Sequence, residues 1–128
     1  MNGPATNQPT PSVTPGATRR AVLVTGGGRG IGAAVCRLAA RRGYAVAINY
    51  LHDEAAARQL ADEIAAGGGT ACLAQGDVGA QADVERMFDI AQARLGPLSG
   101  LVNNAGITGR LGRFTEADPA SIEQVFRT

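Results

Sequence analysis

The 128-residue sequence contains no lysine; all twelve basic residues are arginine. No chemistry that needs a lysine side chain can be assigned to these residues. Histidine occurs once, at His52, and tyrosine twice, at Tyr44 and Tyr50. The two cysteines, Cys36 and Cys72, lack metal-ligand spacing, so no zinc site is expected. Both read as buried free thiols of a reducing compartment. No apolar run approaches the roughly 18 residues of a spanning helix, and the N-terminus lacks a basic region followed by an apolar stretch. A cytoplasmic protein without membrane contact is the expectation. Net charge is only +1, which gives no electrostatic case for nucleic acid. The length suits one domain.

What is abundant is glycine, with eighteen residues. Residues 1–18 hold Pro4, Pro9, Pro11 and Pro15 with little to bury, and are expected to be a disordered tail. From Arg19 strands and helices alternate. Strands are expected near Ala21–Thr25, Ala45–Asn49, Thr70–Gln75 and Gly100–Asn103. Helices are expected near Gly30–Arg42, Asp53–Ala66, Ala82–Leu95 and from Pro119 onward. The expected buried stripes are Ile31, Val35 and Leu38; then Ala56, Leu60 and Ile64; then Val84, Met87, Phe88, Ala91 and Leu95; and finally Ile122, Val125 and Phe126. Gly43, Gly67 and Gly96-Pro97 end the first three helices.

Repeated strand–helix units imply an α/β protein with a parallel sheet covered on both faces. Right-handed crossovers give the strand order 3-2-1-4. Ligands of such sheets bind at the carboxyl ends of the strands, where the order reverses. The turn after strand one and the segment after strand four should therefore meet.

That turn reads Thr25-Gly26-Gly27-Gly28-Arg29-Gly30-Ile31-Gly32. Glycines let backbone approach phosphate oxygens closely. The following helix N-terminus offers free N–H groups and a positive dipole end. Gly26, Gly30 and Gly32 give G-x-x-x-G-x-G, while Gly28, Gly30 and Ala33 give G-x-G-x-x-A, so the turn alone leaves two spacings open. The second segment reads Asn103-Asn104-Ala105-Gly106. Its asparagines can donate and accept, tying loops together or holding a ribose. Asp77, after strand three, suits a turn or a cap.

The two signatures, in this order and spacing, resemble those of the short-chain dehydrogenase/reductase family from about Arg20 to Thr128. The resemblance implies an incomplete Rossmann-type doubly wound sheet, the first portion of one dinucleotide-binding domain over 19–128. It implies that Thr25, Gly26, Gly28, Arg29, Gly30, Ile31 and Gly32, with Asn49 and Tyr50 at the end of strand two, border a nicotinamide dinucleotide. Asn104, Ala105 and Gly106 would lie at its nicotinamide ribose, with Asn103 mainly structural. Asp77 would accept from the adenine amino group, with Val78 packing nearby and Gly76 giving the base space.

An NAD site of this type places an acid about 20 residues past the turn to hold the ribose. Here that place holds Asn49-Tyr50-Leu51. The missing carboxylate and the added Arg29 favour the 2′-phosphate of NADP, with NAD still possible. Arg29 could instead be a solvated arginine. Asp53 reads as a helix cap, and His52 as an exposed residue or an aid to the phosphate. The strand-two end resembles NADP-linked 3-oxoacyl carrier-protein reductases and relatives of sugar dehydrogenases.

The family's catalytic tyrosine–lysine pair falls beyond these residues, so no catalytic residue is assigned. The expectation is the cofactor-binding half of an oxidoreductase acting on a small carbonyl or alcohol, with a homo-oligomer expected only for a longer form. The alternative is a noncatalytic nucleotide-binding or interaction module.

Overall fold

The structure is a computed structural model that describes residues 19–128; the expected disordered tail lies outside the described residues. The elements are β1 (Ala21–Val24), α1 (Gly30–Arg41), β2 (Ala45–Tyr50), α2 (Glu54–Ala66), β3 (Ala71–Gln75), α3 (Gln81–Leu95), β4 (Gly100–Val102) and α4 (Pro119–Arg127), with one 3-10 turn at Phe114–Glu116. The strands form one parallel sheet in the order β3-β2-β1-β4, as expected from the alternation.

β1 is buried at every position. A central parallel strand is covered on both faces, which is why its sequence is a continuous apolar run. Alternate residues feed two cores. Val22, Val24, Val46 and Ile48 pack with Ala33 and Cys36 of α1 and with Ala57, Leu60 and Ile64 of α2. Leu23, Ala47, Cys72 and Ala74 face Met87 and Ala91 of α3. Leu23 and Ile48 are fully buried, and each such side chain contributes roughly 1.5–3 kcal/mol over exposure.

The helix ends follow local chemistry. The Asp53 side chain accepts from the Ala56 N–H at 3.1 Å and caps α2, as the sequence implied. Asp118 does the same for α4 at Ser121, ahead of Pro119. Gly43 follows the C-cap of α1 at φ 87°, the left-handed turn that glycine adopts without a Cβ clash.

Three stripes differ from expectation. α1 buries Gly32, Ala33 and Cys36 rather than the stripe of Ile31, Val35 and Leu38; Ile31 is 77% exposed. The small residues let α1 approach the sheet more closely than large ones would, and Ile31 is left beside the cleft described below. In α2 it is Ala57 rather than Ala56 that is buried. On α4, Phe126 is exposed and no residue is fully buried.

Candidate functional site

At the carboxyl ends of the strands lies an open cleft of about 810 Å³. Its base is the glycine turn. Gly26 sits at φ 59°, and a Cβ there would lie 3.0 Å from the Ala105 Cα. Gly32 allows a tighter approach: a Cβ would lie 2.2 Å from the Gly26 carbonyl oxygen and 2.6 Å from the Asn104 Nδ2. Gly27, which sequence reasoning left without a role, is a packing glycine as well. Its Cβ would meet the Cys36 Sγ and the Val24 carbonyl oxygen at 3.0 Å. No spacing motif marks it, because the constraint comes from Cys36, in the second turn of α1.

Two asparagines hold the turn from opposite sides. The Asn49 Oδ1 accepts from the Gly26 N–H at 3.0 Å, and its Nδ2 donates to the carbonyls of Ala74 at 3.0 Å and Gly76 at 3.1 Å. Asn49 is buried, and its amide is used in joining the turn to the end of β3. The Asn104 Nδ2 donates to the carbonyls of Thr25 at 3.1 Å and Gly26 at 3.0 Å. Thr25 completes the joint: its Oγ1 accepts from the N–H groups of Asn104 and Ala105, both at 3.0 Å. The structural asparagine is therefore Asn104, whereas Asn103 is exposed. Both lie just past β4, and the Asn104 side chain is the one that reaches the turn at the end of β1.

Gly26, Gly28, Arg29, Ile31, Asn49, Tyr50, Asp77, Val78, Asn104, Ala105 and Gly106 all line the cleft. Thr25, Gly30 and Gly32 do not; Thr25 and Gly32 act from beneath it. Leu51, His52 and Asp53 line it beyond Tyr50, and Ile107, Gln124, Arg127 and Thr128 line it from the segments after β4.

The N-terminus of α1 is the part most open to a ligand. Its N-cap is Arg29, whose side chain makes no capping bond, and no acid stands in its first turn. The space around Gly30, at φ 58°, holds no heavy atom within 4 Å of where a Cβ would be. Unfilled helix N–H groups beside open space suit the oxygens of a diphosphate. The carboxylate of Asp53, by contrast, is engaged in its cap.

Around Asp77 the loop is self-supporting. Its Oδ1 accepts from the Gly79 N–H at 2.8 Å, the turn role expected of an aspartate here. Its own N–H donates to the Asp83 Oδ2 at 2.9 Å. That backbone bond, and then the Arg86 side chain, hold the Asp83 carboxyl below the usual carboxylate range. Sequence reasoning missed Asp83. Gly76 lines the cleft and is also hemmed in from behind: a Cβ would lie 2.5 Å from the Met87 sulfur. Burial pushes the Cys36 thiol up to about 12 and raises Cys72 as well. Among the described residues no group of His, Cys, Asp and Glu could hold a metal ion, and no helix is long and apolar enough to cross a membrane.

Residues 20–128 match the family described as short chain dehydrogenase. The chain belongs to this family. Versicolorin reductase stcU of Emericella nidulans is 38% identical over 108 residues, which is 84% of this chain and 40% of that protein. The uncharacterized oxidoreductase YgfF of Escherichia coli is 45% identical over 85 residues, 66% of this chain and 34% of that protein. The chain thus spans less than half the length of the relatives it matches. A dehydrogenase/reductase from Sinorhizobium meliloti superposes with a TM-score of 0.81 at 32% identity, over 87% of this chain and 44% of that one. A short chain dehydrogenase of Burkholderia cenocepacia, solved in complex with NADP, superposes with a TM-score of 0.78 at 35% identity, over 86% of this chain and 44% of that one. The glycine turn and the Asn104 segment are joined directly, as the strand order implied.

Proposed function

We propose that this short-chain dehydrogenase binds NADP(H) in the cleft, and that the whole protein transfers hydride between that cofactor and a small carbonyl or alcohol. The observation that carries the reading is the uncapped N-terminus of α1 opening into a cleft walled by the ends of β1, β2 and β3 and by the Asn104–Gly106 segment. A diphosphate fits there because the N–H groups of the first turn have no protein partner in the helix. The turn from Gly26 to Ile31 would hold it. Asp77 and Val78 would border the adenine, and Ala105 and Gly106 the nicotinamide ribose.

The choice of NADP rests on charge. Arg29 of the turn and Tyr50 and His52 at the end of β2 all line the cleft, and the nearby acid, Asp53, caps α2. A guanidinium favours a phosphate, whereas a free carboxylate would repel it. When bound, the cofactor supplies the hydride chemistry. The described residues hold and orient it, and proton transfer belongs to groups outside them. The relative bound to NADP and the named reductases support the same reading. The two free buried thiols suit a cytoplasmic setting.

The test is titration of NADPH and NADH into the full-length protein, followed by reduced-nicotinamide absorbance with a panel of ketones and 3-oxo thioesters. Tighter NADPH binding and NADPH oxidation by some member of the panel are expected. Equal affinities would remove the NADP assignment, and failure to bind either would remove the cofactor reading.

A further inference from the structure

A chain of hydrogen bonds on the outer surface joins the two loops that flank the cleft at its β2–β3 side. Gln75 is the last residue of β3. Its Nε2 donates to the Leu51 carbonyl at 3.0 Å, in the loop that carries Tyr50 and His52. Its Oε1 accepts from the Arg86 Nη2 at 3.2 Å, and the same nitrogen reaches the Gln75 carbonyl at 3.2 Å. The other Arg86 nitrogen, Nη1, donates to the Asp83 Oδ1 at 2.8 Å. The Asp83 Oδ2 in turn accepts from the Asp77 N–H at 2.9 Å. The run from Leu51 to Asp77 is unbroken.

We propose that Gln75, Arg86 and Asp83 are positioning residues whose relay sets the placement of the Leu51 loop against the Asp77 loop, and so sets discrimination between NADPH and NADH. The inference rests on the cofactor reading above. None of the three side chains lines the cleft, so each would act through backbone that does. An exposed ion pair by itself contributes little to stability, about 0–1 kcal/mol. Here the pair is bonded onward at both ends, Asp83 to the Asp77 N–H and Arg86 to Gln75, whose side chain reaches Leu51, and the planar arginine fork serves both partners in one geometry. The two ends should have different effects. The Leu51 end adjoins Tyr50 and His52, where a 2′-phosphate would lie. The Asp77 end adjoins the base, which both cofactors share.

The experiment measures dissociation constants of NADPH and NADH for the full-length protein, for Gln75→Met and Arg86→Met, and for the double variant, with a thermal melt of each. Gln75→Met keeps side-chain length and cuts the bond to Leu51. It should weaken NADPH by roughly five- to ten-fold, the effect of one hydrogen bond, and NADH by less than about two-fold. Arg86→Met should shift the ratio in the same direction. The double variant should be no worse than the stronger single one, since groups of one network are not additive. An unchanged NADPH-to-NADH ratio, equal weakening of both with a lowered melting temperature, or additive effects would each overturn the relay while leaving the cofactor reading intact. Failure of the unmodified protein to bind either cofactor would overturn both.

Discussion

The Asn104 side chain donates to two consecutive carbonyls, those of Thr25 and Gly26, across the gap between β4 and β1. One amide thus satisfies two acceptors of a turn whose glycines leave it no side chains of its own to hold it. Replacing Asn104 by Ala would strand both carbonyls. An unsatisfied buried acceptor costs about 1–3 kcal/mol. Asn104→Ala is therefore expected to lower the denaturant midpoint clearly and to weaken cofactor binding together with it. Equilibrium urea unfolding and NADPH titration check this, and an unchanged midpoint would show that water replaces the amide without loss.

Gly32 and Gly28 separate packing from ligand approach. At Gly32 a Cβ meets backbone at 2.2 Å, but at Gly28 the nearest atoms, in Ala57, are 3.6 Å away. Gly32→Ala should force α1 off the turn and destabilise by more than about 3 kcal/mol, at the upper end of overpacking effects. Gly28→Ala should melt close to the unmodified protein but bind the dinucleotide more weakly, because Gly28 lines the cleft and its methyl would occupy the space between the turn and Ala57 of α2. Comparable melting of the two variants would contradict this.

Arg29 is the test of phosphate recognition. Its side chain is exposed and makes no capping bond, so its removal should leave the fold unaltered. Arg29→Ala is expected to lower NADPH affinity by roughly 10- to 150-fold, the range for a hydrogen bond to a charged group, with NADH binding nearly unchanged. Parallel loss for both cofactors would place Arg29 at the diphosphate instead.

The Cys36 thiol gives a pH prediction. Its folded value is raised by burial from 9.0 to about 12. In the unfolded chain the thiol ionises first, so above pH 9 the unfolded state binds fewer protons than the folded one. Stability from this group is full below the unfolded value and falls as pH rises toward about 12. Cys36→Ala should flatten that alkaline decline in a urea series. A thiol reagent near pH 8 should react with the folded protein slowly and with the unfolded protein at once.

The sheet was legible because parallel strands buried on both faces read as short apolar runs, and because glycines and Pro119 mark the helix boundaries. The stripe of α1 was not. Periodicity ranks Ile31 and Leu38 above Gly32, Ala33 and Cys36, but close packing against the turn favours the smaller side. The meeting of Thr25–Gly32 with Asn103–Gly106 followed from topology alone, yet topology does not say which asparagine turns inward. Gly27, Gln75, Asp83 and Arg86 left no periodic signal, since their partners are set by three-dimensional contact between loops.

The glycine turn is bound at its base by Asn49, from the β2 side, and by Thr25 and Asn104, from the β1–β4 side. Those residues are committed to the scaffold, while Arg29 and His52 line the cleft with no such duty. On the proposed cofactor reading, the choice between NADP and NAD would then be open to change by exchange of surface residues without reopening the fold. A lineage carrying this turn has a fixed mould and an interchangeable lip.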